Sequence, residues 1–180
     1  MPLASSEAVA LAGMMGSGKS TVAARLGLLL GRRVVSTDAE IVRRAGKPIA
    51  NIFAEDGEAA FRALERHALA GLAGPWIIDL GGGAFCDPDS ARRLLATARV
   101  VFLDVSAAEA ARRIGAGSGL AARPLAPSWG PLLGRRLPLY LRAHHRVAVD
   151  GLSSDAVARR IVALVSAGAP ALDPWCAPAT

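Results

Sequence analysis

Eight consecutive residues constrain this chain more than any other feature. Gly13-Met14-Met15-Gly16-Ser17-Gly18-Lys19-Ser20 fits the pattern G-x-x-x-x-G-K-[ST] completely. The motif follows a short apolar run, Ala8-Val9-Ala10-Leu11-Ala12, and leads into a stretch of helical composition that stops at Gly31. A strand, a glycine-rich turn and a helix N-terminus together make an anion cradle. Glycines let backbone N–H groups converge on a polyphosphate, and the helix end adds positive potential. Lys19 would reach the β- and γ-phosphates, and Ser20 would offer a hydroxyl to Mg²⁺. The motif therefore predicts binding of ATP or GTP with magnesium. No N-K-x-D-type guanine reader follows, which favours ATP and a small kinase over a GTPase.

Composition sets the remaining bounds. At 180 residues the chain is one domain. A hydrophobic fraction of 52% excludes global disorder, and 4% aromatic residues imply an aliphatic core. No apolar run is long enough to span a membrane, and no basic region precedes the first apolar stretch, so no membrane segment or signal peptide is read. Cys86 and Cys176 are too few and too far apart for a disulfide framework or a zinc site. A cytoplasmic protein is expected. The net charge of +6 comes almost wholly from arginine, spread without blocks or interleaved aromatics, so no nucleic-acid surface is read.

Apolar runs at 8–12, 34–35, 76–80, 100–103 and 147–149 alternate with helical segments at 20–30, 41–45, 49–54, 58–72, 88–96, 132–143 and 155–167. That alternation predicts an α/β fold, a parallel sheet with helices on both faces. Asp87-Pro88 reads as a helix start, and Ser106 with Glu109 reads as a capping box for a further helix through Ile114. The glycine- and proline-rich stretch at about 115–130 reads as a lid, and 169–180 as a flexible tail. Residues 1–168 would form a single domain.

Further features fall at the C-terminal ends of successive strands, the edge where open parallel sheets bind ligands. Asp38 follows the second strand and Gly81-Gly82-Gly83 the third. Arg123 lies in the expected lid, and Arg136 precedes the fifth strand. On the helix at 58–72, Glu65 flanks the apolar stripe, and Arg62 stands three residues earlier as its natural cation.

Taken in order, these motifs resemble the shikimate kinase family. The resemblance rests on the phosphate loop with Thr21, Thr37-Asp38 with Glu40-Ile41, Ile52-Phe53, Gly57-Glu58, Phe61-Arg62 and Glu65. It continues through the glycine triplet, Arg123-Pro124-Leu125 and Arg136-Leu137-Pro138-Leu139-Tyr140. It spans residues 8–165. It implies a three-layer α/β/α fold with a five-stranded parallel sheet in the order 2-3-1-4-5 and a mobile lid. It implies ATP- and Mg²⁺-dependent phosphorylation of the 3-hydroxyl of shikimate by a monomeric enzyme acting on a small-molecule substrate. Gly13, Gly16, Ser17, Gly18, Lys19, Ser20 and Thr21 would hold ATP, with Arg113 packed on adenine. Asp38 would orient the acceptor hydroxyl and serve as base. Arg62 and Arg136 would hold the substrate carboxylate, and Gly81, Gly82 and Gly83 would let backbone approach the ring. Arg123 would stabilise the transferring phosphoryl group, joining Lys19 and Asp38 as catalytic residues.

The chain departs from the family at two places. Where the family has Asp-x-Asp after the second strand, the first aspartate here is Ser36. Asp79, just before the glycine triplet, stands where a Walker-B carboxylate would. Asp79 is thus a candidate, with Ser20, for the metal shell, set against a plain turn-capping role. The lid sequence after Leu125 also differs, and Trp129 could pack under the lid or join the core. The alternative readings are a kinase of a related acidic polyol or cyclitol, and an inactive nucleotide-binding homologue.

Overall fold

The computed structural model describes residues 7–115 and 129–167. Arg123, Cys176, most of the expected lid and the expected tail lie outside the described residues. Among the described residues, β1 (Ala8–Ala12), β2 (Val34–Ser36), β3 (Ile77–Asp79), β4 (Ala98–Asp104) and β5 (His145–Ala148) form one parallel sheet in the order β2-β3-β1-β4-β5. The expected fold class and strand order are both present. The chain runs outward from β1 to β2, returns to β3, then crosses β1 to reach β4. That reversal opens a crevice at the C-terminal edge of β1, directly above the phosphate loop.

Side-chain alternation along β1 assigns the two faces. Ala8, Ala10 and Ala12 join Val100 and Phe102 of β4 in one core, closed by α4 (Gly57–Ala70), α5 (Pro88–Thr97) and α7 (Trp129–Tyr140). Val9 and Leu11 join Val101, Leu103 and Val147 in the other, closed by α1 (Lys19–Leu30), α6 (Ala107–Gly115) and α8 (Ser154–Ser166). The core is largely aliphatic, as expected, but the scarce aromatics are concentrated in it. Phe85, Phe102 and Tyr140 are among its largest fully buried side chains.

A third, small cluster of Ile41, Ile52, Phe61 and Ala68 stands apart from the sheet. It holds together α2 (Thr37–Ala45), α3 (Ile49–Asn51), a π-helical turn at Ile52–Asp56 and α4. Among the described residues, no helix is long and apolar enough to cross a membrane.

The structure corrects three local expectations. α2 begins at Thr37, well before Ile41. Ser36 caps it by accepting from the Ala39 N–H at 3.3 Å, and Asp38 and Glu40 in the first turn favour the positive helix end. The capping box at α6 is only half made. Ser106 Oγ accepts from the Glu109 N–H at 3.2 Å, but the Ser106 N–H donates to Asp150, while the Glu109 carboxylate is taken by Arg112 and Arg113. α7 already includes Trp129, three residues before the predicted start at 132, and ends two residues after Pro138, whose missing N–H removes a helical donor.

Candidate active site

The phosphate loop occupies the turn between β1 and α1. Gly16 and Gly18 adopt φ of +85° and +87°, in the left-handed region that favours glycine. Lys19 Nζ lies over the loop and donates to the carbonyls of Gly13 at 2.9 Å and Met14 at 3.1 Å. A phosphate would exchange with these neutral acceptors. Ser17 is buried, and its hydroxyl has no hydrogen-bond partner among the described residues. Ser20 and Thr21, in the first turn of α1, are exposed to the cavity.

That cavity measures about 550 Å³ and has two walls. One is the phosphate loop with Ser20 and Thr21. The other brings together Asp38 of α2, Arg62 and Glu65 of α4, the glycine triplet after β3, and Arg136 of α7. Every described residue of the predicted acceptor set therefore faces the predicted donor set. Phe53 and Phe61, with ring centroids 4.6 Å apart, add an apolar side.

The glycine triplet is needed for room rather than for unusual backbone. None of Gly81, Gly82 and Gly83 is in the left-handed region. A Cβ on Gly81 would overlap Asp38 Oδ1, and one on Gly83 would overlap the Arg62 guanidinium. At Gly82 a Cβ would lie in ordinary contact, 3.4 Å from Arg136 Nη1. Gly81 and Gly83 thus let two charged side chains crowd against one loop.

Charge in this wall is partly compensated. Arg62 Nη1 donates to Glu65 Oε2 at 2.7 Å. The other Glu65 oxygen is buried without a hydrogen-bond partner among the described residues, beside the triplet. Burial raises the Glu65 carboxyl above the ordinary range, with Arg62 opposing. Burial likewise raises Asp38. Lys19 pulls it back, and Asp79 pushes it further up.

Ser36 and Asp79 close β2 and β3, and they are direct neighbours in the parallel register. Both line the cavity, and Asp79 is only 8% exposed. A carboxylate absent from one strand end is therefore present one strand away. Among the described residues, no cluster of three or more His, Cys, Asp or Glu side chains could hold a metal alone. Magnesium does not require one, since it commonly takes one or two protein groups, waters and substrate phosphates. The Ser20 hydroxyl and the Asp79 carboxylate on one cavity fit that pattern.

Arg113 borders both this cavity and an adjoining cleft of about 420 Å³ between the phosphate loop and the β5–α8 connection. It is held by Glu109 at 2.6 Å, the Ser17 carbonyl at 3.3 Å and the Val149 carbonyl at 2.9 Å.

Three contributors were not read as site residues from the sequence. Thr37 is fully buried. Its hydroxyl donates to the Asp79 carbonyl and accepts from the Gly81 N–H at 2.7 Å, so it staples α2 to the triplet. Tyr140 donates to the Gly82 carbonyl. Trp129 donates to the Met15 carbonyl at 3.1 Å and packs against both main cores. Tyr140 is the single tyrosine of the chain, a signal available in the sequence. Thr37 gave none beyond its place next to Asp38.

A family model described as shikimate kinase matches residues 15–166. The chain is 44% identical to a shikimate kinase of Saccharopolyspora erythraea over 164 residues, covering 86% of this chain and 91% of the relative. It is 47% identical to one of Thermobifida fusca over 137 residues, covering 72% and 77%. Its fold superposes on a shikimate kinase of Acinetobacter baumannii solved in complex with shikimate. The TM-score is 0.83 and the identity 30%, with 88% of this chain and 92% of that one covered.

Proposed function

The chain belongs to the shikimate kinase family, and from that premise we propose that it transfers the γ-phosphoryl group of ATP to the 3-hydroxyl of shikimate. The observation that carries the reading is the single cavity in which the phosphate loop faces a wall built from Asp38, Arg62, Glu65 and Arg136. Two arginines on one acceptor wall suit a carboxylate-bearing substrate, because a guanidinium fork matches a carboxylate in shape and charge.

In this reading the acceptor oxygen forms a bond to the γ-phosphorus while the bridge to the β-phosphate breaks. The hydroxyl proton passes to Asp38, whose raised pKa makes it a better acceptor than an exposed aspartate. Lys19 leaves the Gly13 and Met14 carbonyls for the β- and γ-phosphates. Gly13, Gly16, Ser17, Gly18, Ser20 and Thr21 cradle the phosphates, and Arg113 flanks the base in the adjoining cleft. Arg62 and Arg136 hold the carboxylate against the triplet, and the free oxygen of Glu65 accepts from a ring hydroxyl. Arg123 is assigned to the transferring phosphoryl group. The transition state is loose and charged, so positioning and electrostatics carry the rate. Bound Mg²⁺ would neutralise developing phosphate charge, with the Ser20 hydroxyl and the Asp79 carboxylate as its protein partners. In Asp79 the neighbouring strand supplies the charge that Ser36 lacks. A cytoplasmic monomer with one domain over 1–168 completes the reading.

The test is ADP release with ATP, Mg²⁺ and shikimate, beside quinate, gluconate and no acceptor. Shikimate-dependent release is expected. Release with another acceptor alone would move the activity to a related acidic polyol. ATP binding without any release would make the chain an inactive homologue. For Asp79→Ala, a magnesium requirement raised several-fold is expected, read both from rates and from Mn²⁺ binding to the ADP complex. An unchanged Mn²⁺ affinity would remove Asp79 from the metal shell.

A further inference from the structure

We propose that Tyr140 and Trp129 are positioning residues that pin the two ends of α7, one to the acceptor loop and one to the phosphate loop, and so hold Arg136 between donor and acceptor. The inference rests on the phosphotransfer reading above and deepens it.

The spacing on α7 carries the first part of the argument. Trp129, Leu132, Arg136 and Tyr140 follow at intervals of three, four and four residues, so they share one helix face. That face is turned to the site. Leu132 is buried in the core beneath it, and Arg136 is 8% exposed with Nη1 beside Gly82.

The polar ends of the two aromatic residues carry the second part. The Tyr140 ring is already anchored by stacking on Phe102, at 5.0 Å between centroids. Its hydroxyl does something packing does not require: it donates to the Gly82 carbonyl, in the middle of the triplet. Because a trans peptide is planar, fixing that carbonyl also fixes the Gly83 N–H on the opposite side. The same hydroxyl lies within the field of the Arg136 guanidinium and 3.8 Å from Met14 Sδ of the phosphate loop. A phenol keeps its proton at neutral pH even at its ordinary pKa of about 10, so the hydroxyl is a donor here. At the other end of α7, the Trp129 indole N–H donates to the Met15 carbonyl, and Met15 itself lines the cavity. Arg136 is thus carried on a helix whose Trp129 end is tied to the phosphate loop and whose Tyr140 end is tied chiefly to the acceptor loop, the 3.8 Å sulfur contact to Met14 being the weaker of its two contacts.

Tyr140→Phe and Trp129→Phe each remove the polar contact while keeping an aromatic ring. Initial rates would be measured with ATP and shikimate varied independently, with calorimetric ADP binding and thermal unfolding on the same proteins. Tyr140→Phe is expected to raise the shikimate KM about 3- to 10-fold, the scale of one neutral hydrogen bond, and to leave the ATP KM within about twofold. Trp129→Phe is expected to weaken ADP and raise the ATP KM by a similar factor, with a smaller change for shikimate. That crossed pattern would not arise from general destabilisation, which moves both constants together. Unchanged constants in both variants, or equal shifts of both KM values, would overturn the inference. Wild-type protein without shikimate-dependent turnover would instead overturn the phosphotransfer reading on which it rests.

Discussion

The phosphate loop and the acceptor wall face each other across one cavity, but they are built in different ways. The loop is a single contiguous turn between the central strand and α1, braced by both main cores. It presents backbone N–H groups and holds glycines with positive φ. The acceptor wall draws on α2, α4, the end of β3 and α7, and much of it rests on a separate cluster of four buried residues. It presents charged side chains held against one another, and Gly81 and Gly83 give them space. The donor side is therefore a preformed cradle on a rigid base. The acceptor side depends on several elements meeting in the right register, on a smaller core. Reactions that require both walls should fail differently when each is disturbed.

Asp38→Asn should produce the largest effect: a loss of kcat of about 10²- to 10⁴-fold, with ADP affinity nearly unchanged. Parallel calorimetry would check the second half. The same residue sets a pH prediction. Burial raises its carboxyl, and the deprotonated form is the one that accepts a proton. Activity should therefore fall as pH drops through a value above the ordinary aspartate range, and pH–rate profiles of kcat/KM would locate that limb.

Lys19→Met should cost about 10²- to 10³-fold in kcat, the scale of one lost oxyanion-type contact. Unlike Asp38→Asn, it should also weaken ADP. If both variants lost nucleotide affinity equally, the division into two walls would not hold.

Gly81→Ala should act on the acceptor side alone. The added methyl meets Asp38, so a destabilisation of about 1–3 kcal/mol and a raised shikimate KM are expected, with ADP binding retained. Thermal unfolding and ADP titration would test the two halves separately.

Ser36→Ala should be the smallest perturbation. Loss of the α2 cap costs about 1 kcal/mol, and the magnesium requirement should stay the same, because Ser36 caps a helix while its neighbour Asp79 carries the charge. A magnesium requirement that rose with Ser36→Ala but not with Asp79→Ala would reverse that assignment.

The donor side was legible in the sequence because its chemistry is local. Eight residues in order carry the glycines, the lysine and the serine, and the flanking strand and helix follow from apolar runs. Asp38, the triplet and Arg136 stood out by their places near strand ends, and Arg62 with Glu65 by the helix pattern, while the strand order and the roles came with the family resemblance, whose motifs also keep their order along the chain. The start of α2 differs from the reading because the helix begins at the capping Ser36 and its acidic first turn, directly after β2, rather than at the first large apolar residue, Ile41.

What only the tertiary structure decided are relations between residues far apart in the chain. The pairing of Ser36 with Asp79 depends on the register of β2 against β3, 43 residues apart, and no local pattern encodes which residue of one strand meets which of the other. The staple from Thr37 to Gly81 and the ties from Tyr140 and Trp129 to the two loops have the same origin. A motif states which groups are present. Packing decides which of them share a hydrogen bond, because burial removes water as an alternative partner and leaves each polar atom to find one in the protein.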